Sequence, residues 1–457
     1  MTFASQAFLL GVLPLLLALY YIVMSVAGIG PRARRGALFC GAVLLLGSAV
    51  FVISRQPFPG LVLGAAIGTL LVSAMVDGVK ARSLRNAQAL LALIVAGNIG
   101  VFIAVRLQSG PSLEPLAAGV VTFLAIAFAF DVFRGEAATD RPLTATVALL
   151  PLPLLVAGPI VRYRDFRAQL AGPHVGMGPF TYGVRRFATG LLKVTLVASV
   201  LNAPVQAIFA APPDVLTLDA AWLGALAFSL QLYFQLSGWA DVAIGLGRML
   251  GLRIPENFRR PYTADSVRDF WRRWNITLMT GLRDYLYLPI AGRQNPTLRL
   301  FANLVLGFCL MGLWHGAGWT VLLWGIYAGL WLALEEIGLG AWIARMPRLL
   351  RHVYVLLIVA IGWVLLRSEN VAAALGFLGT MAGVSGAAGA TAHLYLTTGS
   401  WIALGVAIIG AGPLIPSVSR WRVSVDAATI SLLMMLGATG VFVWRGVTAL
   451  RPSRARR

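Results

Sequence analysis

Lysine is almost missing from this chain: Lys80 and Lys193 are the only two in 457 residues. Charge of any kind is scarce, at 12% of residues against roughly a quarter in soluble domains. No hydrophilic stretch is long enough to fold as a separate soluble domain. Histidine occurs four times and cysteine twice. Cys40 and Cys309 lie in apolar runs without metal-type spacing, so they read as buried free thiols that say nothing about redox compartment. There is no Gly-x-Ser-x-Gly elbow and no Walker-type phosphate loop, which removes the common serine-hydrolase and nucleotide-binding signatures. No convincing internal repeat is present, which weakens an inverted-repeat transporter reading.

What is there is hydrophobic: 59% of residues, in apolar runs of about 17 to 25 that recur from end to end. The chain reads as an all-α polytopic membrane protein with room for about ten or eleven crossings. Residues 1–457 form a single integral-membrane domain, with spans expected near 6–26, 36–54, 59–76, 87–106, 115–133, 143–161, 187–209, 218–238, 298–314, 317–338, 351–367, 399–418 and 427–447. Pro151 and Pro153 mark one of them as bent or partial.

The net charge of +20 suggests nucleic acid only at first sight. The arginines collect at short junctions between apolar runs, which suits the positive-inside bias and anionic lipid headgroups, so nucleic acid is excluded as a partner. Met1–Met24 lacks a basic leading segment and is followed by Arg32, Arg34 and Arg35, so it is expected to be a retained first helix with its C-terminal side in the cytoplasm. Lys80, Arg82 and Arg85 stand two crossings later, and Arg134 with Arg141 two later again. Arg162, Arg164 and Arg167 break the alternation, so short or re-entrant segments are expected to begin there. The tail Arg451, Arg454, Arg456 and Arg457 points to a cytoplasmic C-terminus.

Pro255–Asn295 differs from everything around it, interleaving arginines and acids with Phe258, Tyr262, Phe270, Trp271, Trp274, Tyr285 and Tyr287. It cannot cross a bilayer. The spacing predicts a helix from Ser266 to Met279 with Asp265 as N-cap, Trp271, Trp274, Asn275 and Leu278 on one face, and an Asp269–Arg273 pair on another. One reading is an interfacial amphipathic helix with lipid-facing arginines. The other is a lining helix that carries Asn275 into a polar cavity, where a buried amide needs partners.

His315 ends the apolar run Leu298–Leu313 within Leu-Trp-His-Gly-Ala; His174, His352 and His393 lack comparable surroundings. A titratable group at membrane depth is a functional candidate by default. Gly312 and Gly316 form a small-xxx-small pair beside it, followed by Gly318. No second His, Cys or carboxylate stands nearby at ligand spacing, so no metal site is expected. What remains is a base without a protein nucleophile, which suits removal of a proton from a substrate hydroxyl. Hydrogen bonding to a neighbouring helix is the alternative.

An ordered set of blocks runs through the chain: Val156–Phe166, Tyr182–Lys193, Tyr233–Gly251, Pro255–Tyr262, Asp269–Leu278, Leu282–Pro289 and Gly312–Trp324, with Phe3–Tyr21 and Gly362–Arg367 outside them. Together these resemble the membrane-bound O-acyltransferase family, and within it the bacterial polysaccharide branch of the alginate O-acetyltransferase type. The resemblance implies about eleven transmembrane helices plus re-entrant and interfacial helices around a central tunnel. It makes His315 the catalytic residue. Two departures stand out: Trp274-Asn275 replaces the Trp-His usual in bacterial relatives, and Gln235 replaces an Asp.

The implied activity is transfer of an acetyl-type group from a cytoplasmic acyl thioester, acetyl-CoA being the expected donor, for O-acylation of an extracellular or cell-wall polysaccharide. The implied setting is the inner membrane, with periplasmic acetyltransferase- or esterase-like partner proteins and no bound cofactor. His315 would act as base and Asn275 would orient the acceptor or stabilise an oxyanion. Trp271, Arg272, Trp274, Arg283, Asp284 and Trp314 would line the substrate path. Arg272, Arg273 and Arg283 can equally meet donor phosphates or lipid headgroups. Rival readings are D-alanyl, peptidoglycan or lipid acylation by the same chemistry, a transporter or export subunit, and a catalytically inert scaffold.

Overall fold

In a bilayer each main-chain polar group must find its partner within the protein, and an apolar chain does so most directly by coiling into helices. The computed structural model describes residues 7–27, 31–55, 59–108, 117–137, 139, 141–155, 158–171, 173–287, 297–315, 318–388 and 391–412. Among them every regular element is helical. The first half comprises α1 (Leu13–Ala27), α2 (Pro31–Arg55), α3 (Pro59–Lys80), α4 (Leu84–Gln108), α5 (Ala117–Arg134), α6 (Pro142–Leu149), α7 (Tyr163–Ala171), α8 (Met177–Leu192) and α9 (Ser199–Ala210). The second comprises α10 (Leu218–Met249), α11 (Val267–Arg273), α12 (Ile276–Gly281), α13 (Thr297–His315), α14 (Trp319–Leu334), α15 (Gly340–Ile343), α16 (Arg348–Arg367), α17 (Val371–Met381) and α18 (Thr398–Ala411).

Among the described residues, five stretches are long and apolar enough to cross a membrane: Pro59–Lys80, Leu84–Leu107, Met177–Ala210, Trp319–Ile343 and Arg348–Arg367. Five shorter apolar helices accompany them. The span expected at 427–447 lies outside the described residues. Leu71, Leu93, Leu107 and Ile402 point outward from the bundle, as lipid-facing side chains would. The long α10 is the opposite case. Its 32 residues run about 48 Å at 1.5 Å each, and Ser229, Gln231, Ser237 and Asp241 are buried along it. It faces protein nearly all round, so it tolerates polar residues that a lipid-facing helix would not.

Tight crossings hold this centre together. A Cβ on Gly190 of α8 would lie 2.5 Å from the Gly238 carbonyl of α10, and one on Gly245 would lie 2.4 Å from the Phe187 nitrogen. The two main chains touch, which only small residues permit. The hairpin of α13 and α14 repeats the device, with a Cβ on Gly312 reaching within 2.4 Å of the Val321 carbonyl. Gly312 therefore packs on α14; its expected partner Gly316 is outside the described residues.

The span expected at 143–161 does not cross. α6 stops at Leu149, Pro151 and Pro153 frame a short 3₁₀ turn at Leu152–Leu154, and every residue from Val147 to Leu155 is buried. Proline lacks the N–H needed to continue a helix and clashes with the preceding turn. The chain then returns: Arg164 pairs with Glu136, and Arg162 with Asp284, whose main-chain oxygen also accepts from Arg134. Arg162 and Arg164 thus share the end of the bundle that carries Arg134. The break in charge alternation noted in the sequence disappears once this segment is counted as entering and leaving on one side. Lys80, with its ammonium 5.4 Å from the Phe133 ring, belongs to the same end.

Candidate active site

His315 is the last residue of α13, and α14 begins at Trp319. Its ring stands edge-on to the indole of Trp324, 5.7 Å between centroids at 89°. Its main-chain oxygen, one of the carbonyls a helix end leaves unpaired, accepts a hydrogen bond from the guanidinium of Arg106 on α4. The histidine is thus fixed at both ends: the ring by an indole, the backbone by a cation from a distant helix.

From Trp324 an aromatic wall continues inward. Trp324 stacks on Trp363 of α16 at 5.9 Å, and Trp363 lies 4.9 Å from Trp274. Trp271 packs against both, 6.2 Å from Trp324 and 6.3 Å from Trp363, and Phe270 stacks on Trp274 at 5.4 Å. The indole nitrogen of Trp363 donates to the Tyr262 hydroxyl at 3.1 Å, and that hydroxyl donates to the Ser229 carbonyl of α10 at 2.7 Å. The indole planes are set by hydrogen bonds as well as by packing, as buried Trp and Tyr require.

The segment turns Val267, Phe270, Trp271 and Trp274 into the protein and leaves Arg272 exposed, so its aromatic face lines the interior. The expected continuous helix is also corrected. Ser266, not Asp265, is the N-cap, its hydroxyl accepting from the Asp269 N–H at 3.0 Å. Asp265 instead pairs with Arg351 at 3.2 Å. The buried carboxylate of Glu335 accepts from the N–H groups of Val267 at 2.7 Å and Arg268 at 2.8 Å, completing the start of α11. The helix then stops at Trp274. Asn275 takes φ 44° and ψ 52°, a left-handed conformation, and α12 begins after it. Asn is one of the few side-chain-bearing residues that tolerate this region. Asn275 therefore does not share one helical face with Trp271 and Leu278, although Trp271, Trp274 and Leu278 are all buried. The expected Asp269–Arg273 pair is present, at 2.8 Å.

Asn275 is held by Asn257. The Asn257 amide nitrogen donates to Asn275 Oδ1 at 3.0 Å; its own oxygen accepts from the Thr277 N–H at 3.0 Å and the Thr277 hydroxyl at 2.9 Å. The Asn257 main-chain oxygen accepts from Ile276 at 2.9 Å. One residue before it, Glu256 accepts from Arg186 at 2.6 Å. Arg186 also donates to Asp241 of α10, at 2.8 Å through Nε, and Lys193 donates to the other Asp241 oxygen at 2.6 Å. Two cations and two carboxylates thus neutralise one another beneath the loop that carries Asn257.

Arg283 and Asp284 belong to a separate group at the basic end. Arg283 is exposed and donates to Asp284 at 2.8 Å. Arg134 and Arg162 place their guanidinium carbons 5.5 and 5.7 Å from the Tyr285 ring, and the Tyr285 hydroxyl donates to Asp131 at 2.9 Å. Burial pushes the Asp284 carboxyl up, but the Arg283 hydrogen bond and the charge of Arg162 together hold it below its ordinary value. Arg272 is exposed. Trp314 lies on α13 immediately before His315; its side chain is outside the described residues. Of the other histidines, His174 and His393 are exposed and His352 meets the Ala264 carbonyl at 3.0 Å. Cys40 is buried and Cys309 only half-buried, and both are free. Among the described residues no three metal-ligating side chains gather.

The structure thus joins His315, Trp271 and Trp274 in one aromatic body with Asn275 at its edge, and separates Arg283 and Asp284 from it. Asn257, Arg106, Tyr262, Trp363 and Glu335 are the residues to which the sequence assigned no role. Arg106 carried a signal, being a lone cation at the end of an apolar run. Asn257 carried none beyond its place in the Pro255–Tyr262 block.

Chemically, an imidazole at one end of an indole wall and a fixed amide next to Trp274 offer a proton acceptor and a hydrogen-bond donor or acceptor among apolar rings. Comparison with known proteins fits this content. Residues 149–366 match the model of MBOAT, the membrane-bound O-acyltransferase family. The chain is 36% identical over 391 residues to the probable alginate O-acetylase AlgI of Azotobacter vinelandii, covering 81% of this chain and 76% of that protein. Identity to the corresponding protein of Pseudomonas aeruginosa is 36% over 393 residues, covering 81% and 72%. A peptidoglycan O-acetyltransferase of Helicobacter pylori is 35% identical over 241 residues, covering 51% of this chain and 45% of its own length.

Proposed function

The chain belongs to the membrane-bound O-acyltransferase family, and from that premise we propose that it moves an acetyl group from a cytoplasmic thioester to a hydroxyl on an extracellular or cell-wall polysaccharide. That it is a membrane-embedded acyltransferase follows from the family. The donor, the direction and the acceptor are our reading. The observation that carries it is the placement of His315: it ends α13 with its ring edge-on to Trp324, at one end of the aromatic wall that reaches Trp274.

In this reading the His315 imidazole removes the proton of the acceptor hydroxyl as its oxygen bonds to the thioester carbonyl carbon. The carbonyl oxygen becomes an oxyanion, which Asn275 stabilises by hydrogen bonding. The intermediate collapses, the carbon–sulfur bond breaks, and the imidazolium returns its proton to the departing thiolate. The products are an O-acetyl ester and a free thiol. The indole wall of Trp271, Trp274, Trp324 and Trp363 keeps water from the acyl group. At the basic end, Arg134, Arg162 and Arg283 supply cations for the phosphates of an acetyl-CoA donor. The relatives' names, with alginate and peptidoglycan as substrates, support a polymer acceptor; in this reading it is reached across the inner membrane with help from periplasmic acetyltransferase- or esterase-like partners.

The test is purified protein in detergent or vesicles with radiolabelled acetyl-CoA and candidate acceptors, alginate and peptidoglycan fragments among them. Labelled O-ester should form, and His315→Ala should abolish it. Substrate movement without ester formation, persisting in His315→Ala, would replace the enzyme reading with a transporter.

A further inference from the structure

The orientation of an asparagine amide is normally ambiguous, because its oxygen and nitrogen are nearly the same size. Here the surrounding contacts resolve it in two steps. Thr277 offers Asn257 a main-chain N–H, which can only donate, so the Asn257 atom facing it is the oxygen. The Thr277 hydroxyl meets the same oxygen at 2.9 Å. The Asn257 atom turned toward Asn275 is then the NH₂ group, which can only donate, and the Asn275 atom 3.0 Å from it must be Oδ1. The Asn275 nitrogen therefore points away from Asn257.

We infer that Asn257 is a positioning residue: it locks the Asn275 amide with Nδ2 turned away from the loop, so that Asn275 meets the reacting group as a hydrogen-bond donor and not as an acceptor. This rests on the proposed acyl transfer and deepens it by naming the residue that sets which end of the Asn275 amide is presented. The oxygen of an acyl group, whether carbonyl or developing oxyanion, can only accept hydrogen bonds and is matched by such a donor. The lock is anchored below: Asn257 is only 3% exposed, its neighbour Glu256 is bound by Arg186, and its main-chain oxygen holds the first N–H of α12. The left-handed backbone at Asn275 is what lets the chain turn its amide back toward Asn257 across 18 residues of sequence.

Two substitutions isolate the effect. Asn257→Asp keeps the oxygen that Thr277 needs but replaces the donor with an acceptor, so the Asn275 amide flips and presents Oδ1 to the site. Asn275→Asp keeps the oxygen that Asn257 holds and makes the other atom an acceptor. Steady-state transfer from labelled acetyl-CoA should show kcat lowered about a hundredfold for Asn275→Asp, the scale of one lost oxyanion donor, with the donor KM little changed. Asn257→Asp should lower kcat at least about tenfold in the same pattern. In the Asn275→Ala background Asn257→Asp should add nothing, because the amide it orients is already gone. Wild-type turnover in Asn275→Asp, or effects of Asn257→Asp and Asn275→Ala that multiply, overturns the inference while leaving the acyl-transfer reading intact. Wild-type turnover in Asn275→Ala removes Asn275 from the reaction and overturns both its role and this one; loss in His315→Ala reports on the reaction separately. If Asn257→Asp does not accumulate as folded protein, Asn275→Asp decides alone.

Discussion

Removing the charge of Asp241 should destabilise the folded protein more than any single surface change. Its carboxylate is 4% exposed and receives Arg186 at 2.8 Å and Lys193 at 2.6 Å. In Asp241→Asn the shape is kept, but one oxygen that accepted from a cation becomes an NH₂ group facing it. Arg186 still has Glu256 at 2.6 Å; Lys193 is left without its carboxylate. Breaking a buried pair by deleting one partner costs about 3–5 kcal/mol. The Lys193 side chain is one-quarter exposed, so water screens part of its charge and the lower end, about 3 kcal/mol, is expected. That corresponds to roughly a hundredfold shift in the folding equilibrium. The thermal midpoint in detergent, read by tryptophan fluorescence or by fluorescence-detected size exclusion, should fall clearly in Asp241→Asn. The double variant Lys193→Met with Asp241→Asn should recover much of the loss, because no unpaired cation remains. Equal midpoints for wild type and Asp241→Asn, or a double variant as unstable as the single one, would refute the reasoning.

Gly245→Ala should lower the thermal midpoint by the cost of overpacking, about 1–3 kcal/mol or more, because its Cβ would sit 2.4 Å from the Phe187 nitrogen; Gly178→Ala, with nothing within 4 Å, is the control that should not move. Arg106→Gln should lower turnover about ten- to a hundredfold, since loosening the end of α13 displaces the His315 ring from its reacting position; a purely structural role would instead show in the thermal midpoint with kcat preserved. Asp284, held below its ordinary value of 3.8, contributes stability that is fully present above that value and lost as pH falls through the lowered one. Asp284→Asn should therefore be less stable than wild type at neutral pH, and the two melting curves should converge on acidification below 3.8. Tyr262→Phe strands the buried Trp363 N–H and should cost about 1–3 kcal/mol, seen as a lower midpoint.

The helical membrane class and the ordered family blocks were legible from composition and spacing, because hydrophobic run length is a property of the chain itself. So was the candidacy of His315: a lone imidazole ending an apolar run has few roles whatever surrounds it. The Trp271 and Trp274 side chains were legible as a pair, since helical spacing alone brings them near each other. What periodicity could not reveal was the break at Asn275. Its sequence neighbours continue the helical spacing, and the left-handed turn is fixed by Asn257, a partner outside any window in which periodicity is read.

The tertiary structure alone decided which atoms face which. Whether the Pro151–Pro153 segment crosses or returns depends on where Arg162 finds Asp284, 122 positions on. His315 is steadied by Arg106, separated from it by 209 positions, and the Asn275 amide takes its sense from a neighbour's neighbour, the Thr277 N–H. Hydrophobicity acts on every residue independently and can be read one letter at a time. Hydrogen bonds have direction, and a direction exists only once both partners have been brought into place.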